Sequence, residues 1–130
     1  MSAARTLVIE KEMPHPPEKV WRALTDGALI KEWLMDNDFQ PRVGHRFSFR
    51  STPVPGWNGI IAAAVLVVEP DKKLSYSWES MGLKSTVLWT LTPTEAGTLL
   101  RMEHGSGFCL LALALIEGIH IVWQIARHKF

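Results

Sequence analysis

The sequence has little of several features that define whole classes of protein. It contains a single cysteine, Cys109, among 130 residues, so it can form no intramolecular disulfide. Positive and negative charges nearly balance, with 14 Lys and Arg residues and 13 Asp and Glu residues. The resulting net charge of +1 gives no general attraction to a nucleic-acid backbone. The first residues, MSAARTLVIE, lack the apolar stretch of a signal peptide. We therefore expect a reduced, cytoplasmic protein that binds no nucleic acid.

Motifs that hold phosphate groups or metal ions are also missing. The sequence has neither GxGxxG nor GxxxxGK[ST], the glycine-rich loops that bind nucleotides. His15, His45 and His128 lie far apart, and no CxxC, HExxH or HxxxH spacing brings metal ligands together. The uncharged segment 51–68 is interrupted by Pro and Gly and is too short to cross a bilayer. These absences predict no cofactor, no metal site and no association with a membrane.

Apolar and aromatic side chains are abundant instead. Hydrophobic residues make up 47% of the sequence, charged residues only 21%, and six residues are tryptophan. This composition excludes intrinsic disorder and leaves enough apolar surface for a core and an internal cavity. With 130 residues and no repeat, low-complexity tract or Gly/Ser linker, the chain is expected to form a single domain over 1–130.

The first third of the sequence predicts one strand followed by two short helices. Residues 5–12 begin with strand-forming side chains and end with charged ones, as an edge strand does. Pro16 and Pro17 precede EKVWRAL, whose apolar residues share one helical face. Thr25 and Asp26 can cap a second helix over LIKEWL, which has the same spacing.

From His45 onward the apolar residues recur with a period of two, which is typical of strands. Aromatic residues alternate with polar ones around Phe47, Tyr76 and Trp89, and turn residues separate these runs. Five strands joined by hairpins are therefore expected to form an antiparallel sheet, within 45–50, 60–68, 74–79, 87–91 and 98–104.

The run at 60–68 is apolar at every position. An antiparallel sheet usually shows polar residues on its open face, so this run needs an explanation. A second subunit could cover the outer face, which would make the protein a homodimer. Alternatively, the small side chains of Ala62, Ala63 and Ala64 widen an internal pocket and leave room for a ligand. We infer pocket widening and keep the homodimer as the alternative.

The last segment, 108–128 (FCLLALALIEGIHIVWQIARH), predicts one helix about 30 Å long. Its apolar face is broad and its polar stripe is narrow, so that most of the helix must be buried against a partner such as a curved sheet. The expected fold class is therefore α+β. A curved antiparallel sheet wraps around the long C-terminal helix, two short helices follow the first strand, and a cavity lies between helix and sheet.

Several motifs, taken in order, resemble one family: PEKVWRALTD, PGWNG, VEPDKKLSYSW, WTLTPTEAGTLL and MEHGSGF. They are similar to the START-like (helix-grip, SRPBCC) superfamily, in the branch of the activator of the heat-shock-protein ATPase, over residues 6–123. The resemblance implies a small intracellular protein with a deep apolar pocket for a hydrophobic small molecule. A minority of the superfamily are enzymes, and no universal catalytic residue can be carried over.

Four positions depart from the pattern of that family. Ala62, Ala64 and Val67 stand where the family usually has acidic residues, and Leu99 stands where it has a polar or basic one. Natural divergence and redesign of the pocket both explain such changes.

Aromatic side chains supply the large apolar area that a ligand pocket needs, together with a few N–H and O–H groups that orient the ligand. Each ring can equally belong to an ordinary core. As a set the rings favour a cavity, and we assign ligand binding to them and to apolar residues of the last helix: Trp33, Phe47, Phe49, Trp57, Tyr76, Trp78, Trp89, Leu115, Ile119 and Trp123.

Three side chains are candidates for catalysis. His120 lies three residues after Glu117 and four before Gln124, which can fix its tautomer, although it can equally belong to a solvated polar stripe. His104 and Cys109 could form a base and nucleophile pair, because a helix N-terminus lowers the pKa of a thiol. A lone buried cysteine is usually inert, however.

The sequence thus predicts a protein that binds a hydrophobic, aromatic or polycyclic small molecule between sheet and helix. One alternative is an enzyme, natural or designed, that uses His120 or the pair of Cys109 and His104 in the same cavity. The other is a chaperone-interaction module that uses the exposed apolar face of the sheet.

Overall fold

The computed structural model describes residues 7–105. The helix predicted at 108–128 lies outside these residues. So do five of the candidate site residues: Cys109, Leu115, Ile119, His120 and Trp123.

The described part of the chain has an α+β architecture. Seven strands form one antiparallel, curved sheet in the order β1-β7-β6-β5-β4-β3-β2. Consecutive strands from β2 to β7 are neighbours, and β1 pairs with β7 at the edge opposite β2. The elements are β1 (Leu7–Met13), α1 (Pro17–Thr25), α2 (Gly27–Trp33), β2 (Asp36–Asn37), β3 (Arg46–Arg50), β4 (Ile60–Glu69), β5 (Lys73–Ser80), β6 (Leu83–Pro93) and β7 (Thr98–His104).

The two helices begin where the sequence predicts. Pro17 occupies the first turn of α1, where its fixed φ angle and missing N–H carry no penalty. Asp26 ends α1 and caps α2, because its carboxylate accepts hydrogen bonds from the backbone N–H groups of Ala28 at 2.9 Å and Leu29 at 3.4 Å. The short link turns the chain sharply and lets α2 pack beside α1.

The strands confirm the predicted period of two, and one short strand was missed. In β3, β5 and β6 the aromatic positions are buried and the residues between them are more exposed, with the single exception of the buried Ser75. Strand β2 pairs with only two residues of β3, Asp36 with Arg50 and Asn37 with Phe49. Two residues carry no periodic pattern, so this strand could not be predicted from the sequence.

A β-bulge in β4 contributes to the curvature of the sheet. The pairing between β4 and β5 shifts register between Val65 and Val67, which places an extra residue in β4. Such a bulge bends its strand and increases the local twist. The sheet therefore has a concave inner face, which carries most of the buried aromatic residues, and a convex outer face.

The interpretation of the apolar run in β4 was wrong for two of its three alanines. Burial alternates along this strand: Ile61, Ala63 and Val65 are buried, whereas Ala62 is exposed and Ala64 is half-buried. Only Ala63 belongs to the inner face. Sequence alone could not assign the sides, because every residue in the run is apolar.

The four departures from the family pattern share this outer face. Ala62 and Ala64 lie there in β4, and Val67 joins them because it pairs with Ser75 after the bulge. Leu99 is half-buried between two fully buried neighbours of β7. These changes therefore alter the convex surface, and the idea that they remodel the pocket is not supported.

Candidate functional site

The inner face of the sheet carries a continuous series of aromatic rings, which we call the aromatic row: Phe39, Phe47, Phe49, Tyr76 and Trp78. All five side chains are buried. Neighbouring ring centroids lie 5.1 to 5.6 Å apart along the row, and most of the pairs meet edge to face. This arrangement matches the preferred geometry of aromatic pairs. Phe39 precedes β3 in the chain and was not among the predicted site residues.

The two helices close one end of this face. The indole of Trp33, at the end of α2, meets the ring of Trp89 edge to face, with centroids 5.7 Å apart. Its Nε1 atom donates a hydrogen bond of 2.8 Å to the carbonyl oxygen of Ala23 in α1. Trp33 thus fixes both helices to the inner face at β6.

A hydrogen bond joins the centre of the face across two strands. Trp89 Nε1 in β6 donates to the hydroxyl oxygen of Tyr76 in β5 at 2.9 Å. Burial raises the pKa of the Tyr76 hydroxyl well above its ordinary value of 10.0, and the hydrogen bond from Trp89 opposes this only in part. The centre of the face is therefore uncharged at neutral pH.

Trp57 lies toward the other end, in the loop between β3 and β4. The backbone groups of Val54 and Trp57 exchange two hydrogen bonds, which make a tight turn of PVPGW. The indole of Trp57 donates to the hydroxyl oxygen of Ser80 at 2.9 Å, and Ser80 donates to the carbonyl oxygen of Ile60 at 3.0 Å. The half-buried indole is thereby attached to the end of β5, two residues beyond Trp78.

A polar cluster of Trp78, Ser85 and His104 lies at this same end. The ring of His104 meets the indole of Trp78 edge to face, with centroids 5.5 Å apart. His104 Nε2 lies 2.6 Å from the hydroxyl oxygen of Ser85, which faces Trp78 across the β5–β6 pair. Burial lowers the pKa of His104 to about 4, so its imidazole is neutral at pH 7. Strands β5, β6 and β7 thus bring together an indole, a hydroxyl group and a neutral imidazole.

The structure brings seven of the predicted ligand-binding residues onto one face of the sheet or against it. They are Trp33, Phe47, Phe49, Trp57, Tyr76, Trp78 and Trp89, and all except Trp57 are buried. The candidate base His104 lies on the same face. Its predicted partner Cys109 lies outside residues 7–105, and so does the other candidate base, His120.

Sequence reasoning missed the roles of Ser80 and Ser85. Both follow the alternation of their strands, since Ser80 continues the series of Tyr76 and Trp78, and Ser85 precedes Val87 and Trp89 by the same step. A serine at an inward position of an otherwise apolar series was the available signal. Its partners, Trp57 and His104, come from distant parts of the chain and could not be read from the pattern.

The outer face has a concavity of its own. It is an open depression of about 400 Å³, with small side chains at its floor and charged ones at its rim: Arg46, Ala62, Ala64, Ser77, Glu79 and Lys84. Glu79 and Lys84 form an ion pair at 3.9 Å. Ala62 and Ala64 create this outer depression and do not enlarge an inner pocket.

Residues 7–105 contain neither a cluster of metal ligands nor a helix that could span a membrane. In that range no three His, Cys, Asp or Glu side chains come close enough to hold a metal ion. Neither α1 nor α2, the two helices of the described range, is long and apolar enough to cross a membrane.

The family of the chain follows from its sequence match. The family model described as Activator of Hsp90 ATPase homolog 1-like protein matches residues 14–124, most of the sequence. The chain belongs to this family. The predicted membership of the START-like helix-grip superfamily is thereby confirmed, and solved structures support it. No curated protein matches the chain.

Solved structures similar to this member of the Hsp90-activator-like family include protein MLL2253 from Mesorhizobium loti. The two chains are 43% identical with a TM-score of 0.85, over 97% of this chain and 99% of that one. CalU16 from Micromonospora echinospora is 24% identical with a TM-score of 0.73, over 97% of this chain and 83% of CalU16. DynU16, a protein of the dynemicin biosynthetic locus, is 20% identical with a TM-score of 0.78, over 95% of this chain and 48% of DynU16. The last two likenesses establish the fold alone.

Proposed function

We propose that the inner face of the sheet binds an apolar small molecule with an aromatic or polycyclic skeleton. The observation that carries this proposal is the aromatic row, which runs across β3 and β5 and presents rings in contact, three pairs of them edge to face and the pair of Phe49 and Trp78 tilted. An aromatic ligand can extend this packing, since it offers the same ring edges and faces. Membership of a helix-grip family supports the same location.

The polar groups of this face are compatible with an apolar ligand. Tyr76 bonds with Trp89, Ser80 with Trp57, and Ser85 with His104, so an apolar ligand leaves few of them without a partner. A ligand that removes roughly 300 Å² of apolar surface from water gains about 7 kcal/mol before the costs of association, at about 25 cal/mol per Å². Affinities in the micromolar range or weaker are therefore expected.

The proposal is tested by fluorescence titration with hydrophobic dyes and steroids. Binding beside Trp78 and Trp89 should quench tryptophan emission in a saturable way. A flat response across a broad panel would contradict the proposal.

Two neighbouring alanines locate the binding face. Ala63 lies on the inner face opposite Phe47, whereas Ala62 is exposed on the outer face. Ala63→Leu should weaken dye binding about tenfold or more, because the larger side chain occupies space beside the aromatic row, and Ala62→Leu should leave it unchanged. Ala63→Val gives a milder form if the leucine variant melts early. Equal affinities in all three variants would place the ligand elsewhere.

The distance of 2.6 Å between Ser85 and His104 supports a second candidate function, ester hydrolysis. The Ser85 hydroxyl would attack the acyl carbon while its proton passes to Nε2, the alcohol would leave, and water would then release the acid. Because burial lowers the pKa of His104 to about 4, the imidazole is a weak base and turnover should be slow. Hydrolysis of p-nitrophenyl esters should disappear in Ser85→Ala and persist in Ser77→Ala. Loss of activity in Cys109→Ala or His120→Ala would instead favour the residues predicted from sequence.

Interaction with a chaperone and formation of a homodimer stay predictions. The description of the family names an activator of the Hsp90 ATPase, and β4 exposes Ile60 and Leu66 on the outer face. Gel filtration of the protein alone and with Hsp90 tests both. A monomer that does not change its elution with the chaperone would contradict them.

A further inference from the structure

The indole of Trp78 differs from the other tryptophans of the inner face. Its side chain is 2% exposed, and within residues 7–105 no atom accepts a hydrogen bond from its Nε1 atom. By contrast, Trp33 donates to Ala23, Trp57 to Ser80 and Trp89 to Tyr76. A buried N–H group without an acceptor is uncommon and costs stability, so that each such group calls for an explanation.

The position of this N–H group is suited to a ligand. Trp78 ends the aromatic row, with the ring of Phe49 at 5.4 Å on one side and that of His104 at 5.5 Å on another. It lies at the end of the face away from Trp89, the residue on which Trp33 of α2 packs. A flat ligand that covers the row would place its far end beside Trp78.

Strands β5, β6 and β7 offer no charged side chain on the inner face beside Trp78 that could bind a ligand of opposite charge. The charged side chains of β5, β6 and β7 beside it belong to the outer face, where Lys84 pairs with Glu79 and Arg101 pairs with Glu103. The inner neighbours of Trp78 are a phenyl ring, a hydroxyl group and a histidine that burial keeps neutral at pH 7. A carboxylate would lose its hydration without gaining a positive partner from these neighbours. A neutral oxygen atom loses much less.

We propose that the Trp78 indole N–H donates a hydrogen bond to a neutral carbonyl oxygen of the ligand. The protein then prefers an aromatic ketone to the hydrocarbon of the same shape. This inference rests on the proposed binding of an apolar molecule at the inner face, and it adds the polar group that the molecule carries.

The probes are 9-fluorenone and fluorene, which share one skeleton and differ in the carbonyl oxygen. The measured quantity is the ratio of their dissociation constants in the full chain and in two variants. Trp78→Phe keeps an aromatic ring and removes the N–H group. Trp33→Phe is the matched control, because its N–H group already donates to Ala23. One net hydrogen bond corresponds to a preference of about tenfold, so the ratio should shift by about that factor in Trp78→Phe and stay unchanged in Trp33→Phe.

A second measurement does not depend on the folding of a variant. In a nitrogen–proton correlation spectrum of the unmodified protein, the indole signal of Trp78 should move downfield with fluorenone and much less with fluorene. An unchanged ratio in Trp78→Phe, or equal shifts with both probes, overturns the inference while the proposed function stands. If neither probe binds and the dye panel is also flat, the proposed function itself fails. Tighter binding of fluorene-9-carboxylate than of fluorenone would overturn the neutral character of the ligand.

Discussion

The indole nitrogen of Trp89 donates a hydrogen bond to the hydroxyl oxygen of Tyr76, so that neighbouring strands β5 and β6 are joined through their side chains as well as their backbones. Both residues are almost fully buried, at 0% and 3% exposure. A buried pair of this kind fixes the orientation of two large rings at the centre of the concave face.

Removal of the Tyr76 hydroxyl should therefore destabilise the protein. Tyr76→Phe leaves the buried N–H group of Trp89 without its acceptor, which costs about 1 to 3 kcal/mol of unfolding free energy. Denaturant unfolding of Tyr76→Phe, Trp89→Phe and the double variant measures the coupling between the two groups. Additive effects of the two substitutions would show that the hydrogen bond contributes nothing.

Ionisation of the same tyrosine should be strongly suppressed in the folded protein. The sequence contains one tyrosine, so the absorbance of phenolate reports Tyr76 alone. Burial raises its pKa above 10.0, and the phenolate should form in the native protein only well above that pH. In denaturant the pKa should return to about 10. Native ionisation near pH 10 would show that water reaches the hydroxyl group.

His104 should make stability depend on pH in the acid range. Its pKa is about 4 in the folded protein and 6.5 in a model compound, so the unfolded state binds more protons between these values. Stability is then fully present above about pH 6.5 and falls as the pH decreases toward 4, by at most about 3 kcal/mol.

The control for this prediction is His104→Gln, which cannot titrate. Free energies of unfolding of both proteins, measured between pH 4 and 7, isolate the contribution of this histidine from that of the carboxylates. Parallel curves would contradict the lowered pKa.

Substitution by alanine should lower stability to different extents at two glycines of the loop that carries Trp57. Gly56 and Gly59 both have positive φ angles, of 86° and 82°. A Cβ atom at Gly56 meets open space, whereas at Gly59 it would overlap the carbonyl oxygen of Ser51. Gly56→Ala should cost about 1 kcal/mol through the left-handed conformation alone.

Gly59→Ala should cost clearly more, because backbone atoms must move apart to admit the new methyl group. The variant should also displace Trp57 from Ser80 and change the tryptophan emission. Thermal melts of the two variants provide the comparison. Equal losses of stability would show that the loop adapts without strain.

Parts of the candidate site could be predicted from local sequence patterns. The alternation of Phe47 with Ser48 and of Tyr76 with Ser77 gave the strands and the inward direction of the rings. Asp26 marked the start of α2 by its capping side chain. In each case the signal lies within a few residues, because hydrogen-bond geometry in a helix cap and side-chain direction in a strand are local properties.

The alternation of apolar and polar residues does not show which side chains face inward where every residue is apolar. At 60–68 it could not separate Ala63 from Ala62, because an alternation of burial leaves no trace when both faces carry apolar residues. The two-residue strand β2 was too short to show a period. The role of Phe39 was missed because it lies outside any regular element. Its contact with Phe47 depends on the path of the loop between β2 and β3.

The amino-acid sequence by itself determined the order of the described elements apart from β2, the family, and every aromatic residue of the inner face named above except Phe39, because each of these depends on residue type and spacing. Only the tertiary structure decided which polar groups meet on that side. Ser85 with His104, Trp57 with Ser80, and the Trp78 N–H group without a described acceptor all depend on the register of strands that are distant in sequence. Strand register is set by the packing of the whole sheet, and no short segment encodes it.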